Sequence, residues 1–113
     1  MKKLLLILLC LPMIGFGQDG PFQDYYENGQ LKLEGNFKNG KNDGLWKRYY
    51  ENGQLHQEGY MKNGQYDGLW KHYHENGQLK YKCEYMINVE ITAPECWDEN
   101  GNRIDCYNVI FEK

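Results

Sequence analysis

The side chains able to do chemistry are few. Serine is absent and Thr92 is the only threonine, so a serine triad has no nucleophile and a threonine nucleophile is not expected. Cys83 with His72 or His74 is the remaining thiol and imidazole combination, but Cys83 falls where other copies of a repeat place glycine. A thiol in such a strand position is a packing residue, and no catalysis is expected of it. His72 and His74 are two apart and project to one face of a strand, while His56 lies on the preceding strand beside Gln57, which is expected to oppose His74. Three imidazoles on adjacent strands have the composition of a zinc site. Two of them, however, merely replace repeat residues, His74 for Tyr50 and His56 for Lys32, and no carboxylate or thiolate stands at a ligand spacing. No metal and no cofactor is therefore expected. The segment Asn39-Gly40-Lys41-Asn42-Asp43-Gly44 resembles a calcium loop only superficially, because Lys41 stands where an oxygen ligand is required and Tyr50 where the bidentate glutamate belongs. No glycine-rich phosphate loop follows a strand and opens a helix. The chain reads as a non-enzyme.

What must position these residues is a tandem repeat. Tyr25-Tyr26-Glu27-Asn28-Gly29-Gln30-Leu31 returns at Tyr49 to Leu55 and, with His74 for the second tyrosine, at Tyr73 to Leu79, each copy displaced by 24 residues. Between residues 25–48 and 49–72, 17 of 24 positions are identical, which chance does not produce. A further step lands on Glu99-Asn100-Gly101, so the units 25–48, 49–72 and 73–96 are followed by a decayed fourth copy.

The repeat is punctuated by turns. Nine of the 13 glycines directly follow Asn or Asp, the dipeptides that accept positive φ and close tight hairpins. Glycine recurs too often for a helix to propagate, and Tyr, Trp and Leu fill the gaps. The spacing predicts strands near residues 22–26, 30–38, 45–50, 54–62, 69–74, 78–87, 91–97 and 103–110. Strands joined by short turns run antiparallel, so the expected fold is all-β, an elongated single meander sheet of tandem 24-residue hairpins. Aromatic residues at one spacing, Trp46 with Trp70 and Tyr49 with Tyr73, are expected to line up along the sheet and pack on their successors. Gly35 and Gly59 fall inside predicted strands, as a bulge or as room for a neighbouring ring. Cys83 takes the same place in the third copy and is expected to be buried, its pairing left open.

Residues 1–17 begin with Lys2 and Lys3, continue with an apolar run from Leu4 to Ile14 and end on Gly15-Phe16-Gly17. That is the layout of a secretory signal peptide, with cleavage expected near Gly17. The apolar run is shorter than the roughly 20 residues that cross a bilayer. Residues 18–90 then form the repeat sheet and 91–113 the decayed copy, acting as a cap. Without Lys2 and Lys3 the remainder holds 11 basic and 16 acidic residues, a net charge of −5, so no nucleic-acid partner is expected. In an oxidising compartment Cys96 and Cys106, flanking the Asn100-Gly101 turn, are expected to pair across a hairpin. Closing that loop contributes about 3 kcal/mol.

The pattern Gly-x-Trp-x-x-Tyr-Tyr-x-Asn-Gly-x-Leu at Gly44 to Leu55, repeated at Gly68 to Leu79 with His74 for the second tyrosine, resembles the MORN-repeat variant of many bacterial exported proteins, some of them antitoxin-like. The resemblance covers residues 22–87 and implies a binding or scaffolding sheet with protein or phospholipid partners and no catalytic residue. The sequence departs from the pattern after Met86, where Pro94 takes the tryptophan position. The expected function is an exported, non-enzymatic module that binds a protein at the cell envelope. Its candidate surface is Trp46, Trp70, Tyr49, Tyr50 and Tyr73. The alternatives are a glycan or lipid-headgroup binder, or an antitoxin or immunity-like inhibitor.

Overall fold

The computed structural model describes residues 19–107. The expected signal peptide and the end of the last predicted strand lie outside them. The described chain is one open antiparallel sheet of 11 strands, 56 × 33 × 20 Å. In chain order these are β1 (Gly20–Tyr25), β2 (Leu31–Lys38), β3 (Lys41–Asn42), β4 (Gly44–Tyr49), β5 (Leu55–Lys62), β6 (Gln65–Tyr66), β7 (Gly68–Tyr73), β8 (Leu79–Met86), β9 (Val89–Glu90), β10 (Glu95–Trp97) and β11 (Arg103–Ile104). The main path is β1-β2-β4-β5-β7-β8-β10-β11, a meander without crossover, as the short turns dictate.

The two-residue strands β3, β6 and β9 are an addition to the expected eight. At Asn39-Gly40 the chain reverses at once, so Lys41 and Asn42 pair back onto Lys38 and Phe37 as β3. Asp43 then donates its amide to the Asn36 carbonyl at 2.8 Å, and Gly44, at φ +98°, steps the chain sideways into β4. The same jog recurs at Asp67-Gly68, where Gly68 has φ +96°. All nine glycines that follow Asn or Asp have positive φ, and Gly35 and Gly59 do not. The jog also sets register: Gln57 opposes His72, not His74 as the sequence reading expected, because the return segment β6 displaces β7 along β5.

Within each long hairpin one strand carries an extra residue. Register slips between Asp24 and Tyr25, between Arg48 and Tyr49, and between His72 and Tyr73, leaving Lys32, His56 and Lys80 as the bulged positions. The bulge is therefore not at Gly35 or Gly59.

The C-terminal part is shorter in strand than expected. In place of 91–97 only Glu95–Trp97 is extended: Ile91 donates to the Glu84 carbonyl at 2.9 Å, the Thr92 hydroxyl accepts from the Glu84 amide at 3.1 Å, and Pro94 has no amide to offer a ladder. In place of the start of 103–110 only Arg103–Ile104 pairs, because Cys106 is drawn into a disulfide with Cys96, with Cα atoms 5.3 Å apart.

Candidate functional site

The sheet is one layer thick, so it has two faces and two ends, and the register assigns the side chains to each. On the first face a row crosses the strands as Phe22, Gly35, Trp46, Gly59, Trp70 and Cys83. Large and minimal residues alternate. Each indole packs against the glycine of the strand before it: a Cβ built on Gly35 would stand 2.7 Å from Trp46 Cε3, and one built on Gly59 would clash with Cδ2, Cε2 and Cγ of Trp70. The two tryptophans therefore do not stack on each other, as the spacing suggested. Glycine between them lets each ring cover backbone, which removes more apolar area from water than edge contact would. Tyr66 stacks on Trp70 at 4.3 Å, Phe22 on Phe37 at 4.5 Å, and the Trp70 indole nitrogen donates to the Tyr60 carbonyl at 2.8 Å.

Trp70 is consequently only 1% exposed and is spent inside the sheet; as a ring offered to a ligand it drops out of the expected surface. Trp46 is half-buried against Gly35. Cys83 is 3% exposed and free, with Sγ 3.2 Å from the Thr92 carbonyl. Burial and the nearby Glu90 carboxylate push its thiol up to about 11, so it is an inert packing group.

The three expected tyrosines are structural as well. Tyr49 donates to Glu34 Oε2 and Tyr73 to Glu58 Oε2, each at 2.7 Å. Burial, then the accepting carboxylate, pushes Tyr49 up to about 12 and raises Tyr73 further. Tyr50 donates to the Tyr73 carbonyl at 2.6 Å, as Tyr26 does to Tyr49 at 2.6 Å. At the third equivalent position His74 Nε2 lies 2.8 Å from the Trp97 carbonyl, replacing the hydroxyl.

The histidines thus go to separate tasks. His56 stacks on Tyr50 at 4.2 Å, His72 stacks on Tyr81 at 4.2 Å, and His74 joins the cap. No group of three or more His, Cys, Asp or Glu side chains suited to a metal is present among the described residues.

The opposite face is charged and open. Its central row runs Gln23, Glu34, Lys47, Glu58, Lys71, Lys82 and Glu95, neighbours in register across seven strands. Beside it Leu45, Tyr60 and Leu69 are 45%, 57% and 41% exposed. A shallow depression recurs in each repeat. The first, of about 530 Å³, is lined by Glu34, Leu45 and Lys47, the second, of about 240 Å³, by Glu58, Tyr60, Leu69 and Lys71, and the third, of about 300 Å³, by Leu69, Lys82 and Glu95. Of the expected surface residues, Tyr49 and Tyr73 reach this face through Glu34 and Glu58, whereas Leu45, Tyr60, Leu69 and the charged row were not among those expected. The signal for them is the period-2 alternation of Leu45, Lys47 and Tyr49 against Trp46 and Arg48.

The long turns form a ladder at one edge. Asn28 closes its own turn by accepting the Gln30 amide on Oδ1 at 2.9 Å, and its Nδ2 donates to the Glu51 carbonyl of the next turn at 3.3 Å. Asn52 and Asn76 repeat both bonds, reaching Glu75 and Glu99 at 3.1 and 2.9 Å. The amide side chain carries an acceptor and a donor on separate atoms, so it accepts within one turn and donates to the next.

The strands of three successive hairpins coincide with three consecutive matches to the family model for the MORN repeat variant, at residues 18–39, 42–63 and 66–86. No curated protein and no solved structure matches the chain. With more than half of its length matched, in step with the hairpins of the sheet, the protein belongs to the MORN repeat variant family.

Proposed function

We propose that the chain is an exported, non-enzymatic module that binds a protein partner at the cell envelope. MORN repeats are in general modules that bind proteins or phospholipids. The observation that carries the narrower reading is the open face, where the Leu45, Tyr60 and Leu69 strip runs alongside the mixed row of Glu and Lys. An apolar strip rimmed by paired charges is the composition of a protein interface, in which the charges set register and the apolar groups supply affinity. A glycan reader built on the expected tryptophans would need both indoles free. Trp70 is covered, and Trp46 is half-covered by its own sheet. An acidic chain with no basic cluster likewise gives anionic lipid no electrostatic attraction. Export rests on the basic and apolar layout of residues 1–17.

The test is capture from an envelope fraction by the tagged full chain. One protein should be retained in stoichiometric amount and lost when Tyr60→Lys and Leu69→Lys are combined. Retention unaffected by those substitutions, or no retained protein, would remove the proposal.

A further inference from the structure

Each interior boundary between repeats is built from the same four contacts. At the first, the Tyr26 hydroxyl donates to the Tyr49 carbonyl at 2.6 Å, the Tyr49 hydroxyl to Glu34 at 2.7 Å and Asn28 to the Glu51 carbonyl at 3.3 Å, while Trp46 covers Gly35. At the second, Tyr50 donates to Tyr73 at 2.6 Å, Tyr73 to Glu58 at 2.7 Å and Asn52 to Glu75 at 3.1 Å, while Trp70 covers Gly59. One side of the boundary, β4 or β7, presents a ring, a tyrosine hydroxyl and two carbonyls. The other presents the pattern Tyr-x-Asn-Gly-x-Leu-x-x-Glu-Gly, found at Tyr26 to Gly35 and at Tyr50 to Gly59.

Strand β1 carries the receiving half, and its outer side pairs with no strand among the described residues. Phe22 stands at the Trp46 position and Tyr25 at the Tyr49 position, with the Tyr25 and Glu27 carbonyls equivalent to those of Tyr49 and Glu51. Tyr25 is 54% exposed, and its hydroxyl turns back along its own strand to Gln23 Oε1 at 2.9 Å. Its two interior equivalents instead reach a carboxylate on the neighbouring strand.

Two nearby candidates for the missing half fail on chemistry. At the far end of the sheet the positions equivalent to Tyr26, Glu34 and Gly35 are Asp98, Cys106 and Tyr107. The Asp98 carboxylate accepts from the amides of Asn100 and Asn102 in its own turn, and Cys106 is in the disulfide. A second copy adding its β11 to β1 therefore keeps only the asparagine, Asn100 at the Asn28 position, and lacks the tyrosine donor, the carboxylate and the glycine. Residues 1–18 contain no Asp or Glu, so they supply no carboxylate to Tyr25 either.

We propose that β1 is the docking edge for one extended segment of a partner protein, running antiparallel to it and carrying the repeat's donor half. Its turn brings a tyrosine and an asparagine to the Tyr25 and Glu27 carbonyls, and its Glu-Gly pair sets a carboxylate on the Tyr25 hydroxyl and a glycine against Phe22. Backbone pairing supplies affinity and these four contacts supply choice. The sheet is thus directional, with an N-terminal edge that keeps the receiving half and a C-terminal edge that has lost most of the donor half. This inference rests on the reading of the chain as a protein-binding module.

The probe is a fluorescent peptide with the sequence of residues 49–62, titrated against the full chain by anisotropy. Saturable binding is expected, with amide shifts at Gly20–Tyr25 and none at Arg103–Ile104. Replacing the peptide's glutamate by glutamine should weaken it about tenfold, as should Tyr25→Phe in the protein, with little further loss when the two are combined. Replacing the glycine in the peptide by leucine should abolish binding. No saturation at millimolar peptide, or binding indifferent to both Tyr25→Phe and the glutamine peptide, would overturn the assignment. An envelope protein captured equally well by the parent, Tyr25→Phe and Gln23→Pro chains would sink this edge while leaving the broader reading intact. A peptide that docks while nothing is captured would do the reverse.

Discussion

Trp70 rests on Gly59 so closely that a single methyl group on that glycine would occupy the space of the indole ring. Glycine is present there for its missing side chain, not for backbone freedom, because its φ is not positive. Gly59→Ala should therefore destabilise the sheet by about 3 kcal/mol, at the upper end of overpacking costs. Gly35→Ala, where the nearest ring atom would be 2.7 Å away and Trp46 is less enclosed, should cost less. Urea denaturation followed by tryptophan fluorescence checks the order, and equal effects would count against the packing account.

The Tyr73 hydroxyl bonded to Glu58 has a substituted counterpart one repeat later, where Lys82 lies over the Trp97 ring at 5.9 Å. Both partners changed together, from hydrogen bond to cation–π contact. Lys82→Glu alone should cost about 1 kcal/mol, and adding Trp97→Tyr should recover most of it by recreating the bond of the earlier repeats. Additive losses in the double-mutant cycle would refute the exchange.

His72 should make the fold acid-sensitive. Burial first, then His56 and Lys80, hold its imidazole down at about 4, and Gln57 Nε2 at 3.3 Å is placed to donate to a neutral ring. The unfolded chain takes up that proton near pH 6.5, so stability is complete above about pH 7 and falls as pH drops toward 4. A loss of about 2 kcal/mol by pH 4.5 is expected. In the His72→Gln chain most of this slope should vanish from urea midpoints measured across the same range.

At alkaline pH the sign reverses. Tyr49 and Tyr81 are pushed up to about 12, mainly by burial, with Glu34 adding to the effect on Tyr49. Their neutral forms are favoured by the fold, so the stability they contribute is full below pH 10 and lost as pH rises through 12. Ultraviolet titration should show a late-ionising group of tyrosines that merges with the rest in denaturant.

The Cys96–Cys106 bridge closes a loop of ten residues and fixes the cap. Cys106→Ala should cost about 3 kcal/mol by the loop-closure account, and reductant should have no further effect on that variant. Peptide mapping after alkylation should find Cys83 modified only in denaturant, given its 3% exposure.

Much of the architecture was legible in the chain because tandem duplication copies both turns and ring positions. Asn-Gly and Asp-Gly pairs specify where the backbone reverses, and their recurrence at 24 residues leaves little besides a meander. The Cys96–Cys106 pairing followed from a turn between them, and burial of Cys83 from its glycine-equivalent position. What periodicity could not settle was register. The two-residue strands β3, β6 and β9 and the Asp-Gly jogs decide which residues lie opposite, and so Gln57 meets His72 and Trp70 meets Gly59. For the same reason Trp70 is covered by the sheet and the expected tyrosines are tied to neighbouring strands, while the exposed apolar positions beside the charged row are Leu45, Tyr60 and Leu69. Sequence fixes which side chains alternate along a strand, but only the assembled sheet decides what stands beside each of them, because cross-strand neighbours depend on turns far away in the chain.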